Sequence, residues 1–145
     1  MLKIAGLILG LAFTFAIAAS SPGRADDVGS ADQSAIRSII ASQIEAFRHD
    51  DGVAAYGYAS PTIQGLFPTV DGFMAMVRSG YPPVYRPQSM TFGAIANTDA
   101  GLEQKVFLTG PDGRNWVAVY SLQRQPDGSW KINGCTLVED DSPTI

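Results

Sequence analysis

The hydrophobic period of this chain changes once, near Gly80, and that switch limits the fold more than any other feature. Before Gly80 apolar residues recur at helical spacing; beyond it they alternate in twos, the spacing of a half-buried strand. A helical half followed by a strand half predicts an α+β fold, with N-terminal helices packed on a curved antiparallel β-sheet. Both faces of the strand around Trp116 carry apolar residues, so the sheet is expected to be covered or strongly curved. A curved sheet closed by helices forms a cone, and a cone of that kind often holds a pocket.

In the helical half, Ile36, Ile39, Ile40, Ile44 and Phe47 form one stripe, with Arg37, Gln43, Glu45 and Arg48 expected mostly elsewhere. Ser30-Ala31-Asp32-Gln33 matches a capping box ahead of that stripe. Asp50 or Asp51 is placed to cap a second short helix through Tyr58, and Ser60-Pro61 has the cap-then-proline order that starts a third. Val70, Phe73, Met74 and Val77 mark a fourth helix, with Gly80 at its stop. In the strand half, Met90 and Phe92, Lys105 to Thr109, Trp116 to Gln123, and Trp130 to about Val138 read as an antiparallel meander. Pro111-Asp112-Gly113 and Pro126-Asp127-Gly128 separate the later runs. Proline presets φ, aspartate bonds its own backbone, and glycine takes the positive φ of a hairpin turn. Between the halves lies RSGYPPVYRPQS, Arg78 to Ser89. Tyr81 and Arg86 each precede a proline, and Pro82, Pro83 and Pro87 have no N–H to donate, which predicts a stiff extended crossing over one end of the cone.

Residues 1–25 have the parts of a cleavable signal peptide: Lys3, the apolar run Ile4 to Ala19, and a small-residue site ending at Ala25. The run is shorter than the ~20 residues that span a bilayer comfortably. Cleavage is expected after Ala25, with Ala18 as the alternative. The expected product is a periplasmic or secreted protein without stable membrane insertion: a short N-terminal segment (26–31), one domain (32–139) and a C-terminal tail (140–145). Of 10 basic and 14 acidic residues, Lys3 and Arg24 leave with the signal, so the mature chain carries 8 against 14, a net charge of −6. It has no Lys/Arg cluster, and nucleic-acid binding is not expected. Cys135 is the single cysteine and His49 the single histidine. The chain therefore has no internal disulfide and cannot supply the roughly four Cys/His ligands of a structural zinc site; no metal or cofactor is expected.

Three blocks carry a resemblance: IRSIIASQIEAFRHDDGVAAYGYASPTIQGLF, FMAMVRSGYPPVYRPQSMTFG and LTGPDGRNWVAVYSLQRQPDGSWKINGC. Together they resemble the bacterial exported family catalogued as domain of unknown function 4864, across nearly all of Ile36 to Leu137. That family resembles the nuclear-transport-factor-2-like superfamily, and the resemblance implies a cone of helices against a curved antiparallel sheet. The superfamily includes ketosteroid isomerase-like enzymes, dehydratases and polyketide cyclases, beside non-catalytic binding and dimerising domains. Its isomerase-type site uses an aspartate base with a tyrosine and a protonated acid as oxyanion donors. No motif for that site is present: the first helix lacks a tyrosine, and Glu103, close to a turn, is the one interior-type carboxylate of the strands.

His49 and Asp51 are the catalytic candidates. A carboxylate-paired imidazole can act as a general base, although a solvated histidine at a helix C-terminus is the favoured reading. Cys135 reads as a small core residue, since no cation close in sequence would lower its pKa. The ligand-binding candidates are Tyr81, Tyr85 and Arg86 from the crossing, with Tyr58 and Trp116. Each has a structural alternative: core packing for the aromatic residues, and an ion pair with Asp50, Asp51 or Asp71 for Arg86. The expected function is a non-catalytic exported domain that binds a small apolar ligand in a cone-shaped pocket or self-associates as a homodimer. One alternative is a lyase or isomerase acting on a small carbonyl compound, with His49 or Asp51 as base and Tyr81, Tyr85 or Arg86 stabilising charge. The other is a protein-interaction module.

Overall fold

A computed structural model describes residues 28–142, and the expected signal segment lies outside the described residues. Five helices come first: α1 (Ser30–Arg48), α2 (Gly52–Gly57), α3 (Pro61–Leu66), α4 (Val70–Gly80) and α5 (Pro82–Tyr85). Four strands follow, β1 (Ser89–Thr98), β2 (Gly101–Thr109), β3 (Asn115–Arg124) and β4 (Trp130–Glu139), paired antiparallel in the order β1-β2-β3-β4. The architecture is α+β, as the change of period at Gly80 implies.

The caps show why the short helices hold. Asp51 Oδ1 accepts from Ala54 N at 3.1 Å and starts α2, while Ser60 Oγ accepts from Ile63 N at 3.2 Å and starts α3 ahead of Pro61. Ser60 also donates to Asn133 Oδ1 at 2.7 Å, and its backbone N–H reaches Ile132 O at 2.8 Å, which ties α3 to the sheet. Gly113 (φ 83°) and Gly128 (φ 86°) take the left-handed turn positions, and Asp112 and Asp127 accept from Arg114 N and Ser129 N.

Three local expectations need correction. The capping box at Ser30 does not form: Gly29 is the N-cap, and Gln33 Nε2 instead donates to Val28 O at 2.8 Å. Because α1 begins at Ser30, its hydroxyl sits one position too late to cap. Gln43 is buried rather than turned outward, at 3% exposure. The crossing is a corner instead of an extended strut. Tyr81 (ψ 49°) and Arg86 (ψ 64°) are non-helical, the conformation that a following proline favours, but Pro82 and Pro83 occupy the first turn of α5. That turn needs no N–H from either proline, and their fixed φ suits it.

The core lies between the helices and one sheet face. Ile36, Ile40 and Phe47 of α1 pack toward Val106, Ala118 and Tyr120 of the strands. The opposite sheet face leaves Phe107 and Val138 exposed at 43% and 53%. Two bulges bend the sheet, one at Gly93-Ala94 in β1 and one at Asn133 in β4. Gly93 is required at the first: a Cβ there would stand 2.6 Å from the Phe107 ring.

Candidate functional site

Between the helical layer and the sheet lies a cavity of about 70 Å³. Its floor is buried and comes from distant parts of the chain: Phe47 of α1, Ala59, Tyr120 of β3 and Ile132 of β4. Ile63, Met76 and Tyr81 are half-buried and form the rim. Its polar side chains are Gln43, Tyr81, Tyr120 and Cys135, and no charged residue lines it. Ligand pockets for drug-sized molecules run to about 300–1,000 Å³, so this cavity suits a molecule well below that size.

Antiparallel register sets the polar floor. Tyr120 and Cys135 are direct partners across β3 and β4, which places both side chains on the helix-facing side. Tyr120 is 1% exposed and its hydroxyl has no hydrogen-bond partner of normal geometry. The Cys135 thiol is its one polar neighbour, in a weak hydrogen bond outside normal geometry, and because sulfur accepts weakly the hydroxyl keeps its capacity for a stronger acceptor. Gln43 uses its amide to donate to Ala55 O at 3.1 Å.

Burial raises both acids: the Tyr120 phenol stands well above its ordinary value, and the Cys135 thiol is pushed up from 9.0 to about 12. Cys135 is half-exposed by surface because it faces the cavity, yet the surrounding atoms desolvate its thiolate. The folded state therefore holds its proton where the unfolded state releases it. Stability from Cys135 is complete below 9.0 and is lost as pH rises toward about 12. Urea midpoints of the wild type should fall more steeply through that alkaline window than those of Cys135→Ala; parallel curves would contradict the burial.

The sequence candidates do not converge on one place. Tyr81 lines the cavity. Tyr85 and Arg86 sit in a surface cluster with Asp50, whose φ of 52° is left-handed. The Tyr85 hydroxyl donates to the Asp50 carboxylate and holds it below the ordinary carboxylate range, with Arg86 adding to the effect at 3.0 Å. Arg86 also donates to Phe47 O at the end of α1 and stacks 3.9 Å from the centroid of the Tyr85 ring. His49 is exposed and pairs with Glu45 Oε1 at 2.9 Å, and the Asp51 carboxylate caps α2; neither lines the cavity. Tyr58 is half-buried, with its carbonyl accepting from Ile132 N. Trp116 lies at the other end of the sheet beside Arg114, and its buried Nε1 lacks a partner close to Gly110. Glu103 pairs across from Ser121, and its neighbour Gln104 holds the interior position.

Gln43 and Phe47 were missed as cavity residues, although a signal existed. Gln43 falls at i+3 from Ile40 and i+7 from Ile36, on the buried stripe itself. Tyr120 reads as core from its strand alternation, and only the pairing with β4 brings its hydroxyl to a cavity wall.

A helical layer over one face of a four-stranded antiparallel meander, with an uncharged cavity between them, defines a small pocket-bearing α+β domain. The chain belongs to the family described as Domain of unknown function (DUF4864), whose pattern it matches over residues 29–145. Searches of curated proteins and of solved structures found no match. Among the described residues no helix is long and apolar enough to cross a membrane, and no cluster of three or more His, Cys, Asp or Glu could hold a metal ion.

Proposed function

We propose that this chain is an exported, non-catalytic binding domain of the nuclear-transport-factor-2-like type, which takes up a small uncharged molecule in the cavity between its layers. The observation that carries the reading is the lining: aliphatic and aromatic walls, a few polar side chains and no charge. An apolar ligand gains from leaving water there, and an ionic ligand would lose its hydration without a counter-charge. His49 and Asp51 support the non-catalytic reading over the lyase or isomerase one, because each is engaged outside the cavity. Native mass spectrometry of the protein recovered from its own export compartment tests the proposal. The expected spectrum shows a chain beginning at Asp26 with a small-molecule adduct. The adduct should be missing from a folded Val77→Phe variant, in which the larger side chain occupies the cavity. A wild-type chain without adduct, or an adduct retained by Val77→Phe, rejects the pocket.

The sheet's open face favours a second reading, self-association, since Phe107 and Val138 stand exposed there. Light scattering across a concentration series reads it directly: a monomer at every concentration removes it.

A further inference from the structure

We infer that the cavity's ligand carries a neutral hydrogen-bond acceptor, an oxygen of the ketone, aldehyde, ester or ether kind, and that Tyr120 Oη donates to it. This rests on the reading that the cavity binds a small molecule. Among the described residues two buried side-chain polar atoms lack a hydrogen bond of normal geometry, Tyr120 Oη and Trp116 Nε1, and Tyr120, whose contact is the weakly accepting Cys135 thiol, belongs to the cavity lining. A buried hydroxyl without a good acceptor is costly, so the position is unfavourable unless something completes it.

The chemistry of the wall determines which group completes it. Tyr120 is held as the neutral phenol and Cys135 as the neutral thiol, so the floor offers donor hydrogens and no charge. A phenol is a better donor than a thiol, and sulfur accepts weakly, which makes an oxygen acceptor on the ligand the natural partner. A carboxylate or phosphate would also accept, but no Lys, Arg or His lines the cavity to balance it. Phe47, Val77 and Ile132 meanwhile enclose an apolar body. The recognised molecule is therefore small, neutral and apolar over most of its surface, with one oxygen directed at β3.

Cyclohexanone and methylenecyclohexane share a shape and differ in whether the exocyclic atom accepts a hydrogen bond. Titration of the folded domain with each, followed by backbone amide shifts around Tyr120 and Ile132, separates the contributions. Loss of hydration disfavours the ketone in any apolar pocket, so the readout is the affinity ratio of cyclohexanone to methylenecyclohexane compared between variants. Tyr120→Phe keeps the ring, removes the hydroxyl, and should lower that ratio about fivefold, the worth of one neutral hydrogen bond. A ratio unchanged in Tyr120→Phe overturns the donation from Tyr120 while leaving the pocket intact. Absence of binding by either probe overturns both this inference and the pocket beneath it.

Discussion

Gln104→Leu is expected to destabilise the domain by about 3 kcal/mol, although leucine nearly preserves the volume. Gln104 is fully buried on β2 beside the bulge in β1. Its amide nitrogen donates to Gly93 O at 3.0 Å, Ala94 O at 3.3 Å and Lys105 O at 2.7 Å, serving carbonyls around the point where the ladder is interrupted. Its oxygen accepts from Arg37 Nε at 3.2 Å, and Arg37 Nη2 reaches Gly93 O at 3.4 Å. Leucine would leave the bulge carbonyls and the guanidinium short of partners in a site that water reaches poorly, so the loss is polar rather than a cavity effect. Urea unfolding should show a lower midpoint with an unchanged slope. Arg37→Leu combined with Gln104→Leu should cost less than the sum of the two, because the residues share one network. A loss below about 1 kcal/mol for Gln104→Leu would remove the bulge from the account of stability.

Phe47→Ala is expected to cost about 3–5 kcal/mol, the range for truncating a buried aromatic ring. The Phe47 ring is 1% exposed, stands 6.2 Å from Phe73 and 6.4 Å from Tyr85 between centroids, and forms part of the cavity floor. Truncation joins new space to the existing 70 Å³ instead of leaving an isolated void. Two measurements should therefore move together. Unfolding free energy falls, and added benzene raises the thermal midpoint more in Phe47→Ala than in the wild type, since a ligand that fills the native state stabilises it by mass action. A large loss of stability with no benzene response would mean that the site collapses and that Phe47 does not shape the cavity.

Gln104 and Phe47 differ in how far their roles could be read from sequence. Phe47 lies at the end of the isoleucine stripe, so its burial follows from helical spacing. Gln104 lies between the charged Glu103 and Lys105, with apolar Leu102 and Val106 two positions away on its strand face, and nothing within a few positions announces a bulge on the adjacent strand. The RSGYPPVYRPQS segment falls between these cases. Local sterics before proline set the backbone at Tyr81 and Arg86, but the helical turn between them closes through Tyr85 N and Tyr81 O, a choice that prolines in a first turn equally permit. The tyrosines then diverge, with Tyr81 in the cavity and Tyr85 bonded to Asp50.

Local chemistry decided the order of elements in this protein: the change of period at Gly80, the caps at Asp51 and Ser60, and the two Pro-Asp-Gly turns each act within a few residues. Tertiary structure alone decided the site. The cavity takes its walls from α1, α4, the Tyr81 corner, β3 and β4, and its polar floor exists because the register places Tyr120 opposite Cys135. Period and turn chemistry report which face of an element is buried; which residues meet across that buried space depends on pairing register and bulges, and these are settled only when the whole chain packs.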